Sequence, residues 1–322
     1  MAYDLTEKLV IGISSSALFD LTESDEVFRT QGEETYRGYQ RENQDNPLVT
    51  GVAYPFIRRL LKLNELSDDL INNPLVEVIL LSRNDPDTGL RVMNSIEHYN
   101  LSITRAVFLQ GQSAHKYIPA FDIELFLSAN EKDVKQAIDA GYPAGQILHG
   151  DIFDDVKDRE LRIAFDFDGV LADDESESVY KENKNLDEFY SHESTKVDIA
   201  HNPGPLKNLI DRISHIQKLE SNYKLQNPSY EPVLRVSIVT ARNAPSHKRA
   251  INTMRAINTM RAWGILANEV FFMGGVEKSK VLEILKPHIF FDDQKLHLTS
   301  ASTLPSVHIP FGIANKVVHN ES

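Results

Sequence analysis

Slid by 152 residues, this chain lays KLVIGISSSALFDLTES over ELRIAFDFDGVLADDES without a gap. The match resumes twice more in the same order: an offset of 158 lays LLSRN over IVTAR, and one of 164 lays NLSITRAVFLQGQSAHKYIPAFDIELFLS over GILANEVFFMGGVEKSKVLEILKPHIFFD. Few paired residues are identical. What repeats is the alternation of short apolar runs (KLVIGI, VEVILL, RAVFL, LRIAF, RVSIV, EVFFM, HIFF) with longer helical patterns. Strands covered on both faces by crossover helices read as unbroken apolar runs, so the rhythm predicts an α/β protein with a largely parallel sheet. Two tandem copies of one α/β unit are expected, over residues 1–150 and 151–322. Helices are expected at PFIRRLLKLNEL, at EKDVKQAIDAG with Gly141 as its stop, and at SKVLEILK, closed by Pro287. Segments 25–50 and 172–202 are charged and weakly periodic, and read as excursions from the sheet, the second as a small cap.

The step from 158 to 164 has a visible cause: the hexad AINTMR occurs twice in tandem, at 250–255 and 256–261. Six residues advance a helix by about 9 Å and rotate its face by about 120°. The helix is then either longer and partly re-faced, with Ile251, Met254, Ile257, Met260 and Trp263 drifting around it, or it loops out about six residues. An apolar stripe left exposed there would suit a homo-oligomeric interface.

Composition narrows the chemistry. The 47 acidic against 34 basic side chains leave a net charge of −13, which repels nucleic acid polymers in the absence of any dense basic tract. No apolar run approaches a membrane span and the first residues, MAYDLTEKLV, carry no secretion signal, so a cytoplasmic protein without a membrane partner is expected. With no cysteine, disulfides, thiolate catalysis and zinc–thiolate sites are excluded. Carboxylates, histidines and hydroxyls are left to act.

The sharpest local signal is IAFDFDGVLAD at 163–173. It places Asp166 and Asp168 at the C-terminal edge of a buried strand, facing the crevice where parallel sheets bind ligands. Like charges so close call for a compensating cation, and oxygen ligands beside phosphate chemistry favour Mg²⁺. IVTARN sets Thr240 at another strand end, where its hydroxyl and adjacent backbone N–H groups, Ala241 among them, can hold a phosphate oxygen. Helix capping is the alternative use of Thr240. Lys278 follows a glycine turn in GGVEKSK, with Lys280 as a competitor, and could neutralise phosphate charge. HIFFDDQ puts Asp292 and Asp293 after an apolar strand, where one could complete the metal's ligands. Arg242 and Arg249 suit either phosphate or ribose contacts or a helix surface. His192 and His201 lack the spacing of metal ligands, and an aromatic such as Phe189 or Tyr190 could stack on a base or fill a small core under the excursion.

In order and spacing these segments resemble the haloacid dehalogenase superfamily of aspartate-nucleophile phosphatases, with its DxD, Ser/Thr, Lys and terminal acidic motifs. The resemblance implies that Asp166 is the nucleophile and Asp168 the general acid and then base. It also implies Mg²⁺ held by Asp166, the backbone carbonyl of Asp168 and Asp292, with phosphate held by Thr240, Ala241, Arg242 and Lys278. At the aligned places of the first copy stand Ser14, Ser16, Ser82, Ala114 and Ser128. That half is expected to be catalytically degenerate, a packing partner, lid or nucleoside-side wall.

The rest of the chain is similar to the cytosolic type I 5′-nucleotidase family, through ISSSALFDL, QGEETYRGYQ, GVAYPF, NSIEHYNL, LSANEKDVKQAIDAG, DDESE, GPLKNLI, VTARN and KPHIFFDDQKLH. That resemblance implies hydrolysis of a nucleoside 5′-monophosphate to nucleoside and phosphate. Two departures stand out: the family carries a smaller residue where Phe167 stands, and it lacks the doubled hexad. The competing readings are a phosphatase for another small ester, such as a sugar phosphate, and a non-catalytic nucleotide-binding sensor or scaffold.

Overall fold

In the computed structural model, which describes residues 3–70, 72–150, 154–183, 185–254, 263–299 and 303–315, the apolar runs become strands. They fall into two compact units, Met1–Asp155 and Val156–Ser322.

The first unit carries β1 (Leu9–Ile13), the short antiparallel pair β2 (Phe19–Asp20) and β3 (Val49–Thr50), then β4 (Val76–Ser82), β5 (Arg105–Phe108), β6 (Leu125–Ser128) and β7 (Ala144–Ile147). Its main strands run in the order β5-β4-β1-β6-β7 and pair in parallel. Its helices are α1 (Ser15–Leu18), α2 (Thr22–Glu42), α3 (Tyr54–Lys62), α4 (Leu90–His98) and α5 (Glu131–Asp139). All seven residues of β4 are buried, as a strand covered on both faces must be. Local chemistry sets the helix ends: Asn130 caps α5 by accepting from the Lys132 and Asp133 N–H groups, and Gly141 follows it with φ +84°.

The second unit carries β8 (Leu161–Phe165), β9 (Leu234–Thr240), β10 (Glu269–Phe272), β11 (Ile289–Asp292) and β12 (Ser306–His308), in the order β10-β9-β8-β11-β12, again in parallel. Its helices are α6 (Glu175–Asn183), α7 (Leu186–Thr195), α8 (Lys207–Gln226), α9 (His247–Met254), α10 (Lys278–Leu285) and α11 (Lys295–Thr299). The order reverses at β8, whose neighbours are β9 on one side and β11 on the other. Such a reversal opens a crevice at the carboxyl ends of the strands. Stacked Phe165 and Phe291, with centroids 5.1 Å apart, lock β8 to β11 just below that crevice.

Both excursions read from the sequence are largely helical. Residues 25–50 include most of α2, and 172–202 contain α6 and α7, the latter capped by Asn185 accepting from the Asp187 N–H. The second hexad and the end of the first lie outside the described residues, and with them the expected re-facing and interface stripe. The Trp263 N–H donates to the Thr253 carbonyl at 3.1 Å. Among the described residues, no helix is long and apolar enough to cross a membrane.

Candidate active site

Asp166, Thr240 and Asp292 stand at the C-terminal edges of strands, and Lys278 at the first turn of a helix. Asp166 follows β8, and its N–H continues the ladder to the Phe291 carbonyl at 2.8 Å. Its own carboxylate accepts from the Phe167 N–H at 2.7 Å, which turns the chain and sends Asp168 towards β9. Thr240 and Asp292 close β9 and β11, and Lys278 opens α10. Asp166, Asp168, Thr240, Ala241 and Arg242 share one cavity of about 440 Å³ with Glu177, Leu186, Phe189, Tyr190, Asn243, Gln294 and His297. Phe189 and Tyr190 of α7 line that cavity, and Tyr190 donates to Asn243 at 2.9 Å.

Lys278 is buried and bridges Asp166 and Asp292, with its Nζ 2.7 Å from each carboxylate. Lys280 is exposed, so of the two competing lysines Lys278 is the one at the carboxylates. Burial pushes Asp166 up to about 7, opposed by the Lys278 ammonium and reinforced by the negative charge of Asp292 and Asp168. Burial also acts to raise Asp292, but Lys278 and the bond from His297 outweigh it and hold this carboxyl below the usual range. Asp293 is different. Both its oxygens are buried without a partner, and burial together with the charges of Asp166, Asp292 and Glu177 pushes it up to about 9.

An excess of buried carboxylate over cation is what a divalent metal relieves. Ligand atoms of Asp166, Asp292 and His297 all lie within 4.8 Å of one another. The orphaned Asp293 carboxylate lies against Gly169, where a Cβ would meet Oδ2 at 2.6 Å and φ is +72°, so only glycine leaves it room. Oxygen donors of this kind fit a hard cation such as Mg²⁺.

Not every residue named from the sequence converges on the cavity as a free contact. Both oxygens of the Asp168 carboxylate are held by Arg242. Arg242 lines the cavity yet is 4% exposed, its guanidinium taken up by Asp168, Glu193 and His201. Arg249 is 1% exposed and binds Glu193, Glu175 and the Ile199 carbonyl; neither arginine is helix surface. His201 is buried against Thr253, 2.9 Å from its hydroxyl, and His192 lies beside Glu175 and Glu193. Phe167 is fully buried, edge-on to His201 and stacked on Trp263. Sequence reasoning missed Glu193 and His297. The only available signal for His297 was a histidine five residues after Asp292, on a helix too short to show a period.

At the aligned places of the first unit the hydroxyls serve local structure. Ser14 caps α1 through the Ala17 N–H and lies 3.1 Å from Ser16. Ser82 contacts Ser15 and accepts from the Asn84 N–H, and Ser128 accepts from the Asn130 N–H. Ala114 packs in the core beside Ile118.

The sequence matches the 5′-nucleotidase family over residues 1–316. It is 32% identical over 302 residues to cytosolic 5′-nucleotidase 1B of Homo sapiens, an alignment that takes in 93% of this chain and 48% of that protein. The chain thus spans about half the length of that relative. Among solved structures, histidinol dehydrogenase from Elizabethkingia anophelis aligns over 92% of this chain and 79% of its own, with a TM-score of 0.22 and 8% identity, a likeness too low to carry any argument.

Proposed function

We propose, from the premise that this chain belongs to the 5′-nucleotidase family, that it hydrolyses nucleoside 5′-monophosphates to nucleoside and inorganic phosphate by way of a phosphorylated Asp166. The observation that carries the reading is the meeting of Asp166, Lys278 and the orphaned Asp293 at the reversal of strand order, under a cavity roofed by Phe189 and Tyr190. Mg²⁺, when bound, would neutralise the buried carboxylates and the charge on the phosphoryl oxygens. Asp166 and the acidic pair at 292–293 would hold it, with the backbone carbonyl of Asp168.

The remaining work falls to the chain's own residues. An Asp166 carboxylate oxygen attacks phosphorus while the bond to the nucleoside O5′ breaks, and a protonated Asp168 gives its proton to that leaving oxygen. Asp168, now a carboxylate, takes a proton from water as the water attacks phosphorus. Phosphate leaves and the Asp166 carboxylate is restored. The Thr240 hydroxyl, the Ala241 N–H and the Lys278 ammonium would orient the phosphoryl oxygens. Arg242 is dropped from this set because its donors are already committed. The aromatic roof favours a ligand with a planar base over a bare sugar phosphate. The identical strand order of the two units supports reading the first as a copy that has lost its acids.

The test is phosphate release from AMP, IMP, deoxynucleoside monophosphates and sugar phosphates, with and without Mg²⁺. Nucleoside monophosphates are expected to turn over fastest, only with Mg²⁺, and Asp166→Asn is expected to abolish turnover. Equal hydrolysis by parent and Asp166→Asn would leave a nucleotide-binding role instead.

A further inference from the structure

A guanidinium carries five N–H donors, and in Arg242 all five meet acceptors inside the protein. Nε and Nη2 grip the two oxygens of Asp168 at 2.7 and 2.6 Å, Nη1 binds Glu193 and the Ser246 carbonyl, and Nη2 lies 3.0 Å from His201 Nε2. With its proton on Nδ1, His201 would give to Thr253 and accept from Arg242. The flat faces are covered as well, since the Phe167 and Phe189 centroids lie 5.3 and 5.8 Å from the guanidinium carbon. The far end of the clamp is anchored in α7. There the fully buried Glu193 carboxylate also takes Arg249 at 2.9 Å and the Ser176 hydroxyl at 2.8 Å.

We infer that Arg242 is not a phosphate contact but the positioning residue of the acid–base group, a two-point clamp that fixes the Asp168 carboxylate and is itself set by Glu193 of the roof helix. This rests on the reading of Asp168 as proton donor and acceptor. A fork matched to both oxygens fixes the plane as well as the place of the carboxylate, which a lysine ammonium cannot do. Proton transfer in the transition state demands that accuracy. The chain at 172–202 and the acid at 168 would then move as one piece, so that a displaced α7 leaves the acid unplaced.

Phenyl and p-nitrophenyl phosphate separate this role from the alternatives, because the nitrophenolate departs without a proton and the more basic phenolate needs one. In single-turnover release, Arg242→Lys is expected to slow phenyl phosphate and AMP by about a hundredfold, within the range that general acid catalysis supplies. It should slow p-nitrophenyl phosphate by less than about fivefold and leave KM within about threefold. In an Asp168→Asn background the same change should cost nothing further, since no acid remains to be placed. Glu193→Gln, which keeps shape and leaves Arg242 on Asp168, is expected to show the same leaving-group pattern in weaker form, and it stands in should Arg242→Lys fail to fold. A rise in KM with kcat unchanged would make Arg242 a substrate contact and overturn the inference. Equal losses on both aryl esters, or losses that add fully in the double variant, would overturn it too. Parent protein that cleaves the aryl esters but no nucleoside monophosphate would sink the nucleotidase reading alone, and the aryl pair would still score the clamp.

Discussion

Asp292 and Asp293 are adjacent in sequence, but their surroundings give them different work. Asp292 has Lys278 on one oxygen, the Gln294 N–H at 2.8 Å on the other, and His297 Nδ1 at 3.1–3.2 Å from both. These bonds make Asp292 a brace for Lys278 as well as a member of the group of ligand atoms with Asp166. Asp293 has no bonded partner on either oxygen and faces the negative charges of Asp166 and Asp292, which favours it as the cation's own ligand. Asp293→Asn is therefore expected to weaken Mg²⁺ binding at least tenfold, while Asp292→Asn weakens it less, as loss of a supporting residue does. Calorimetric Mg²⁺ titration of the two variants without substrate checks this, and the reverse ranking would make Asp292 the principal ligand of the pair. The sequence showed two equivalent acids here because the difference lies in Lys278 and Gly169, which reach the pair only through the fold.

At the scale of elements, α7 is held to the sheet end by a chain of buried ion pairs: Glu193 to Arg242 and Arg249, and Arg249 in turn to Glu175 at the start of α6. Burial acts to raise both glutamates, yet the charge and hydrogen bond of Arg242 hold Glu193 well below the usual range, and Lys196 and Arg249 hold Glu175 at about 2. A carboxylate with a depressed native pKa contributes stability that is complete above its unfolded value near 4.5 and fades as pH falls through the native value. Thermal melts from pH 6 downward should thus show a steep loss of stability between about pH 4.5 and 2. Glu193→Gln should be less stable at neutral pH and show a shallower acid limb, and an unchanged limb would remove these pairs from the account. None of this latch was legible in the sequence. The strands were, because Leu161–Phe165 or Ile289–Asp292 are unbroken apolar runs whose burial leaves no other reading. The charged stretches of α2, α6 and α7 show too weak an apolar face to announce helices. The partners of Arg242 lie 49 and 74 residues away in sequence, at separations set only by the order of strands.

Across the whole molecule, each unit threads its five main strands in one order, third-second-first-fourth-fifth, and each places polar groups at the tips of its first, second and fourth strands. The tips differ in what they cost the fold. In the second unit, both oxygens of the buried Asp293 carboxylate are without a hydrogen-bond partner. In the first, Ser14, Ser82 and Ser128 are buried, and the Oγ of each accepts a nearby backbone N–H. Each of these hydroxyls satisfies a backbone donor of its own loop. Ser82→Ala and Ser128→Ala are accordingly expected to lower unfolding free energy by about 1–3 kcal/mol each, the cost of stranding a buried donor, with kcat and KM for AMP unchanged within about twofold. Urea unfolding set beside steady-state kinetics on the same preparations measures both quantities. A serine variant that keeps its stability and loses turnover would assign the first unit a direct part in the reaction, against the account in which its strand tips have become structural.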